Sequence, residues 1–401
     1  MKKILLLGGS AQQVIAIKTA KRLGYYTVLC DYLPDNPGQY AADKYYNVST
    51  TDVEAVYKVA MDEKVDGILA YASDPAALPA AIVAERLGLP TNPSASVAVL
   101  GVKHNFRKFL GENGFACPRN FTFKVGADIE ELKEKMQELD FPIVVKPTDS
   151  SGSKGVTVLK SAEGLDAAIA LAESYSRNKI LIVEEFIESN FPAVIGGDIF
   201  VWDGKVILYG EMACLRGSEH NGLIPVGEKS PAGLNSKQIE NVHKELQRII
   251  TMLGIKFGEL NIEILLDKND NVHFLELGPR AGGNMIPIEL SDIFNVDLVE
   301  ANVLAAMGEN PKLQPVRQSG FFTTYVLHSY KDGQFEGISI ANKIRSNVYR
   351  REIYKKTGDL VEAFDGAGKA VGILFLRFDT EQELQYFCSN HEKLVAVELM
   401  E

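Results

Sequence analysis

The 401-residue sequence predicts an α/β N-terminal doubly wound domain, followed by a larger α+β domain and a small α+β C-terminal region. Three observations carry this reading. From the N-terminus to Leu89, short apolar runs alternate with segments of helical period. Beyond Arg119 that alternation gives way to strands flanking a polar, glycine-containing loop. Finally, Gly258 to Gly283, GELNIEILLDKNDNVHFLELGPRAGG, alternates apolar and polar residues on both sides of LDKNDN, a cluster of turn formers, and reads as a β-hairpin. The expected boundaries are 1–92, 93–313 with a lid at about 118–184, and 314–401.

The first domain opens with ILLL, the turn Gly8-Gly9-Ser10 and a helix carrying Val14, Ile15, Ile17 and Leu23. The pattern recurs as YTVLCDY, YYNV, the helix TDVEAVYKVAMDEK, the strand DGILAY and the helix PAALPAAIVAERLG. Such alternation predicts a parallel sheet with helices on both faces, and ligands bind such sheets at the carboxyl ends of the strands. Those ends are Gly8 to Ser10, Asp31 and Ala72 to Asp74, which makes Ser10 and Asp74 candidate substrate residues. The glycine pair falls short of the G-x-G-x-x-G dinucleotide fingerprint, so an NAD(P) site would rest on two glycines alone.

Pro90 and Pro93 mark the boundary, and the helix that follows carries Lys103 and stops near Gly114. Lys103 by itself reads as a solvated helical lysine. Next come RNFTFKV, the helix IEELKEKMQELD and FPIVVKP, where Lys146 ends an apolar strand and so requires a partner. The loop Thr148 to Gly155, with Ser151, Gly152, Ser153, Lys154 and Gly155, can close over phosphates through amides, hydroxyls and one cation, or can be a plain surface loop. After VTVLK and the helix LDAAIALAESYS, the run Val183-Glu184-Glu185-Phe186-Ile187 can cover a purine and read its edge, or can be a strand end entering water. The segment ACLRGSEHNGLIPVGEKSPAGL reads as a long polar loop, in which Arg216 and His220 are candidates for an anionic substrate. The C-terminal region, with GFFTTYVLHSY, KAVGILFLRF and a helix around Glu381 to Phe387, holds no motif with chemistry of its own.

The hairpin places Glu263 on one strand and Glu276 on the other, nearly opposite, with Arg280 just beyond. Like charges so placed repel. A hard cation such as Mg²⁺ would neutralise them, since it takes oxygen ligands from one or two carboxylates plus substrate phosphates. The alternative is that one glutamate faces water.

A formal charge of −11 argues against a nucleic-acid surface. Four dispersed cysteines suggest neither a zinc site nor a disulfide framework, which fits a reducing, cytoplasmic compartment. The apolar run Ile4 to Leu7 is too short for a secretory core, and no stretch is long enough to span a membrane.

In order, Lys103, VVKP with Lys146, the serine-glycine loop, VEEFI, and the paired glutamates ending in ELGPR resemble the ATP-grasp superfamily of carboxylate-amine ligases. The resemblance covers nearly the whole chain, and similar layouts occur in biotin carboxylase, dipeptide-forming amino-acid ligases and glycinamide ribonucleotide synthetase. It implies that the middle domain is an ATP-grasp domain using ATP with Mg²⁺, or Mn²⁺ in its place. Lys103 and Lys146 would contact the α- and β-phosphates, and Ser150 to Gly155 would cover them as a lid. Glu184, Glu185, Phe186 and Ile187 would hold the adenine, with Val144 and Leu265 packed on it. Glu263 and Glu276 would bind the metal, while Arg280 and Lys154 would serve catalysis. The implied partners are a small-molecule carboxylate and an amine, with a homodimer as the assembly. Alternatives that share the site are carboxyl activation of the biotin-carboxylase or carbamoyl-phosphate-synthase kind and a nucleotide-binding protein without turnover. The chain departs from the superfamily at Gly278, where Asn is frequent, and offers either Glu188 or Asp198 as the ribose contact.

Overall fold

The computed structural model describes residues 1–150, 154–189, 191–217 and 224–400. The chain forms two compact units, one made of Met1–Val97, Ile195–Ile262 and Gly278–Glu401, the other of Ala98–Val194 and Glu263–Leu277.

In the first unit β1 (Lys3–Leu7), α1 (Val14–Arg22), β2 (Tyr26–Asp31), β3 (Lys44–Asn47), α2 (Val53–Glu63), β4 (Gly67–Leu69) and α3 (Asp74–Leu87) follow the predicted alternation. The strands are parallel in the order β3-β2-β1-β4. Ile4 and Leu6 pack with Ile17 on one side, and Leu5 and Leu7 pack with Val56 and Val83 on the other, so β1 is apolar on both faces. The strand order reverses between β1 and β4, and their carboxyl ends lead into Gly8 to Ser10 and into Asp74, the position where doubly wound sheets bind ligands.

The second unit begins within α4 (Ser94–Gly101) and continues with α5 (Lys103–Glu112), β5 (Asn120–Lys124), α6 (Ile129–Met136), β6 (Ile143–Pro147), β7 (Thr157–Leu159), α7 (Leu165–Tyr175) and β8 (Ile180–Glu185). Its antiparallel sheet has the order β5-β8-β6-β7. Ile143, Val145, Leu181 and Val183 face the core built with Leu132, Met136 and Ala172. Strand alternation therefore puts Val144, Lys146, Ile182 and Glu184 on the opposite face, where Val144 stands across from Glu184 and Lys146 from Ile182.

The chain then continues through β9 (Ile195–Trp202), β10 (Lys205–Arg216), β11 (Pro225–Ser230), α8 (Ser236–Leu253), β12 (Phe257–Leu266) and β13 (Val272–Gly278). After these come α9 (Ile286–Phe294), α10 (Leu298–Ala306), β14 (Phe321–Leu327), β15 (Gly333–Ile340), α11 (Asn342–Arg345), β16 (Val348–Ile353), β17 (Leu360–Val361), β18 (Gly372–Phe378), α12 (Glu381–Leu394) and β19 (Val395–Leu399). In the first unit the strands run β12-β9-β10-β11-β14-β18-β16, so the expected C-terminal region extends the same sheet as the middle of the chain. Among its described residues, the segment read as one long polar loop contains the end of β10, Ala213 to Arg216, and all of β11. Ala213, Cys214 and Leu215 pair with Lys229, Glu228 and Gly227, and β11 is flanked by β14 on its other side. Pairing on both edges satisfies its backbone despite a loop-like composition.

The predicted hairpin is present. Its turn is organised by Asp267, whose carboxylate accepts from the amides of Asn269 at 2.8 Å and Asn271 at 3.0 Å, while Asp270 takes the left-handed conformation.

Gly197 in β9 has φ +99, and a Cβ there would lie 2.0 Å from the Gly210 carbonyl oxygen. Gly197→Ala is expected to lower stability by about 3 kcal/mol or more in urea unfolding.

Candidate functional site

The second unit is built around a buried charge cluster. Arg107 on α5 is 1% exposed and Glu184 at the end of β8 is 3% exposed. The guanidinium donates from Nε to Glu184 Oε2 at 2.9 Å and from one terminal nitrogen to Oε1 at 3.3 Å. It also donates to the carbonyls of Phe274 at 3.0 Å and Leu275 at 3.2 Å, on β13. Lys146 completes the cluster through an ion pair with Glu184, the partner its place on an apolar strand required. Burial by itself would raise the Glu184 carboxyl, but Arg107 and Lys146 outweigh it and hold the group down at about 2. Burial lowers the Lys146 ammonium, against the pull of Glu184.

One turn before Arg107, Lys103 opens α5. Its amide donates to the Thr148 carbonyl at 2.9 Å, and its Nζ donates to the Ser150 carbonyl at 2.6 Å and to Glu276 Oε2 at 3.1 Å. Lys103 thereby joins the hairpin carboxylate to the loop after β6. Glu263 and Leu265 lie on the half-exposed face of β12, alternating with buried Ile262, Ile264 and Leu266. In β13 the alternation slips at Leu275 and Glu276, both half-exposed, which is what a bulge produces. Without that slip Glu276 would share the buried side of Val272 and Phe274.

The donor set fits a magnesium nucleotide. Among the described residues no three His, Cys, Asp or Glu side chains come together to hold a metal by protein alone. Two hairpin carboxylates are oxygen donors of the kind Mg²⁺ takes when it keeps waters and shares ligands with phosphates. For a purine, the carboxylates at the end of β8 are already engaged: Glu184 as above, and Glu185 with Arg119 and with the Asp140 amide at 2.8 Å. Adenine at this strand end would therefore meet backbone and the faces of Val144, Phe186, Ile187 and Leu265. Phe186 is 43% exposed, an apolar surface of the right kind.

In the first unit Asp74, opening α3, holds Arg280 by two parallel bonds, Nε to Oδ1 at 2.6 Å and a terminal nitrogen to Oδ2 at 2.8 Å. A third bond runs to the Ala281 carbonyl at 2.9 Å. Asp198, fully buried in β9, accepts from the Gly282 amide and from Asn261 Nδ2, both at 2.8 Å. A Cβ on Gly282 would stand 2.6 Å from the Asp198 carboxylate, so only glycine permits this approach. Asp198 thus braces the segment after Arg280 and is spent as a ribose contact. A cavity of about 90 Å³ is lined by Tyr71, Asn92, Glu259, Arg280 and Asn302. The Gly8 to Ser10 amides donate to the Cys30 carbonyl, to Asp31 and to Gln13 at 2.9, 2.7 and 2.8 Å. These donors are committed internally, which leaves the NAD(P) reading without its anion cradle.

The remaining sequence candidates divide as follows. Ser150, Lys154 and Gly155 flank the loop, with Ser150 Oγ bonded to the Lys154 carbonyl at 2.9 Å and Gly155 at φ +73. Ser151, Gly152, Ser153 and His220 lie outside the described residues. Arg216 ends β10, paired with Pro225. Sequence reading missed Arg107. The signal available was its position four residues after Lys103, between Phe106 and Leu110, which are buried with it.

The fold and the charge pattern define an ATP-binding enzyme of the ATP-grasp class. Residues 103–312, more than half of the chain, match the model of the family described as carbamoyl-phosphate synthase L chain, ATP binding domain. The chain belongs to this family, and with it to the ATP-grasp ligases, which use ATP with Mg²⁺ and form C–N bonds with release of ADP. It is 26% identical to a formate-dependent phosphoribosylglycinamide formyltransferase of Parasynechococcus marenigrum, over 77% of each chain. Among solved structures, phosphoribosylglycinamide synthetase from Anaerococcus prevotii superposes with a TM-score of 0.79 at 21% identity, covering 100% of both chains. The L-amino acid ligase from Bacillus licheniformis gives 0.81 at 19%, covering 100% of this chain and 99% of that one. Among the described residues no helix is long and apolar enough to cross a membrane.

Because Glu184 sits at about 2 against an ordinary 4.5, its stabilisation is complete above the unfolded value and is lost as pH falls through the folded one. Glu184→Gln is expected to cost about 3 kcal/mol at neutral pH and to flatten the acid limb of a stability profile below roughly pH 5. Thermal melts across pH check both.

Proposed function

We propose that this chain is an ATP-dependent ligase that phosphorylates a small carboxylate and joins it to an amine. The observation that supports the reading is the tie from Lys103 to both Glu276 and the Ser150 carbonyl, which brings a cation, a hairpin carboxylate and the start of the loop after β6 together in one unit. Glu263 and Glu276 would hold Mg²⁺, which supplies charge neutralisation at the phosphates. Lys103 and Lys154 add positive charge, and Val144, Phe186, Ile187 and Leu265 offer the apolar faces for adenine.

A carboxylate oxygen attacks the γ-phosphorus in line, the bond to the ADP oxygen breaks, and ADP leaves. The amine nitrogen then attacks the acyl carbon, the carbon–oxygen bond to phosphate breaks, and the nitrogen gives up a proton. The resemblance assigns charge stabilisation in these steps to Arg280, whose plane is fixed within the first unit by Asp74 and the Ala281 carbonyl. Orientation and charge placement do most of the work, because phosphoryl transfer asks little covalent chemistry of the protein. Relatives of 22–29% identity share the name formate-dependent phosphoribosylglycinamide formyltransferase. Formate and phosphoribosylglycinamide are therefore the first pair to try, with Ser10 and Arg216 as residues to vary for substrate selection.

The test is ADP release by the full chain with Mg²⁺ and ATP, across formate, amino acids and bicarbonate, each with and without amine acceptors. Stimulation that needs both a carboxylate and an amine, with the coupled product seen by mass spectrometry, supports the reading. Stimulation by bicarbonate alone overturns it in favour of a carboxylase. Glu276→Gln is expected to lower kcat at least 100-fold, on the scale of losing one charge-stabilising group in a transition state.

A further inference from the structure

Successive carbonyls of a regular strand point to opposite sides. Those of Phe274 and Leu275 nevertheless both accept from the Arg107 guanidinium, at 3.0 and 3.2 Å. One planar group meeting both points to a local departure from the regular strand, which the burial pattern of β13 matches by slipping at Leu275 and Glu276, the same place. The residue displaced by that slip is Glu276.

We propose that Arg107 is the positioning residue of the metal site: its guanidinium holds the β13 bulge that turns Glu276 to the half-exposed side of the hairpin, where Glu263 lies. The inference rests on the reading of Glu263 and Glu276 as the metal carboxylates. Glu184 orients the guanidinium by its two-oxygen grip, and this leaves the remaining donors aimed at β13. Lysine cannot substitute, because a single ammonium cannot reach Glu184 and two carbonyls in one plane. The same arrangement links the end of β8, where a purine would sit, to the strand that carries the metal ligand. Arg107 itself is buried among protein groups and touches no reacting atom in this account.

The test measures Mn²⁺ affinity by electron paramagnetic resonance in the presence of a non-hydrolysable ATP analogue, and separately the metal-free affinity for that analogue. Wild type, Arg107→Lys and Glu276→Gln are compared. Arg107→Lys is expected to weaken Mn²⁺ binding by about tenfold or more, the scale of losing a group that orients a ligand, while the metal-free nucleotide affinity stays near wild type. A merely structural role would lower both together, and that outcome overturns the proposal. Wild-type Mn²⁺ affinity in Arg107→Lys, with binding lost in Glu276→Gln, also overturns it and leaves the metal reading standing. Unchanged Mn²⁺ affinity in Glu276→Gln removes the metal reading and this inference with it. Should Arg107→Lys not fold, Arg107→Gln, which leaves Glu184 paired with Lys146 and keeps a neutral donor beside it, is held to the same two measurements.

Discussion

The buried pair of Arg107 and Glu184 is the constraint on which the second unit depends. Two charges taken out of water are tolerated only when their geometry is good and their remaining donors are satisfied. Here Lys146 and two main-chain carbonyls meet that condition. As a result α5, β6, β8 and β13 share one electrostatic knot. Most of the groups expected to handle the nucleotide in this unit are on these elements or on the adjoining loop, namely Lys103, Val144, Lys146, the end of β8 and Glu276, while Glu263 and Leu265 are on β12.

The first unit solves a different problem, that of holding a guanidinium in place on a segment without regular structure. Asp74 supplies a planar two-bond partner, and Asp198 anchors the Gly282 amide two residues on. Burial pushes Asp198 and Glu259 above the ordinary carboxyl range, Glu259 further than Asp198, and the nearness of Asp198 raises Glu259 more. Glycine at 282 is required because the carboxylate occupies the space of a side chain.

Much of this was legible in the sequence where local chemistry decides structure. The alternation from β1 to α3 gave the parallel sheet, and LDKNDN gave the hairpin turn because Asp267 caps it through its own side chain. Lys146 announced a buried partner. That the partner was Glu184, already singled out in VEEFI for another role, depended on cross-strand register that one sequence does not reveal. Arg107 was missed because HNFRKF reads as a polar helix face, and a guanidinium satisfied by distant carbonyls leaves no local trace. The strands around Arg216 were missed for a related reason, since their pairing partners lie far along the chain and outweigh a loop-like composition. In β14 to β19 the apolar pattern marked only the most buried strands.

The central claim is that a carboxylate is activated by phosphorylation before an amine displaces the phosphate. Oxygen tracing tests this directly. With formate, or whichever carboxylate stimulates ADP release, doubly labelled with ¹⁸O, one labelled oxygen should appear in inorganic phosphate for each product molecule formed, because the bond broken in the second step is the one between the acyl carbon and the bridging oxygen. Phosphate that carries no label while product still accumulates would contradict the account, since the carboxylate oxygen would never have been bonded to phosphorus.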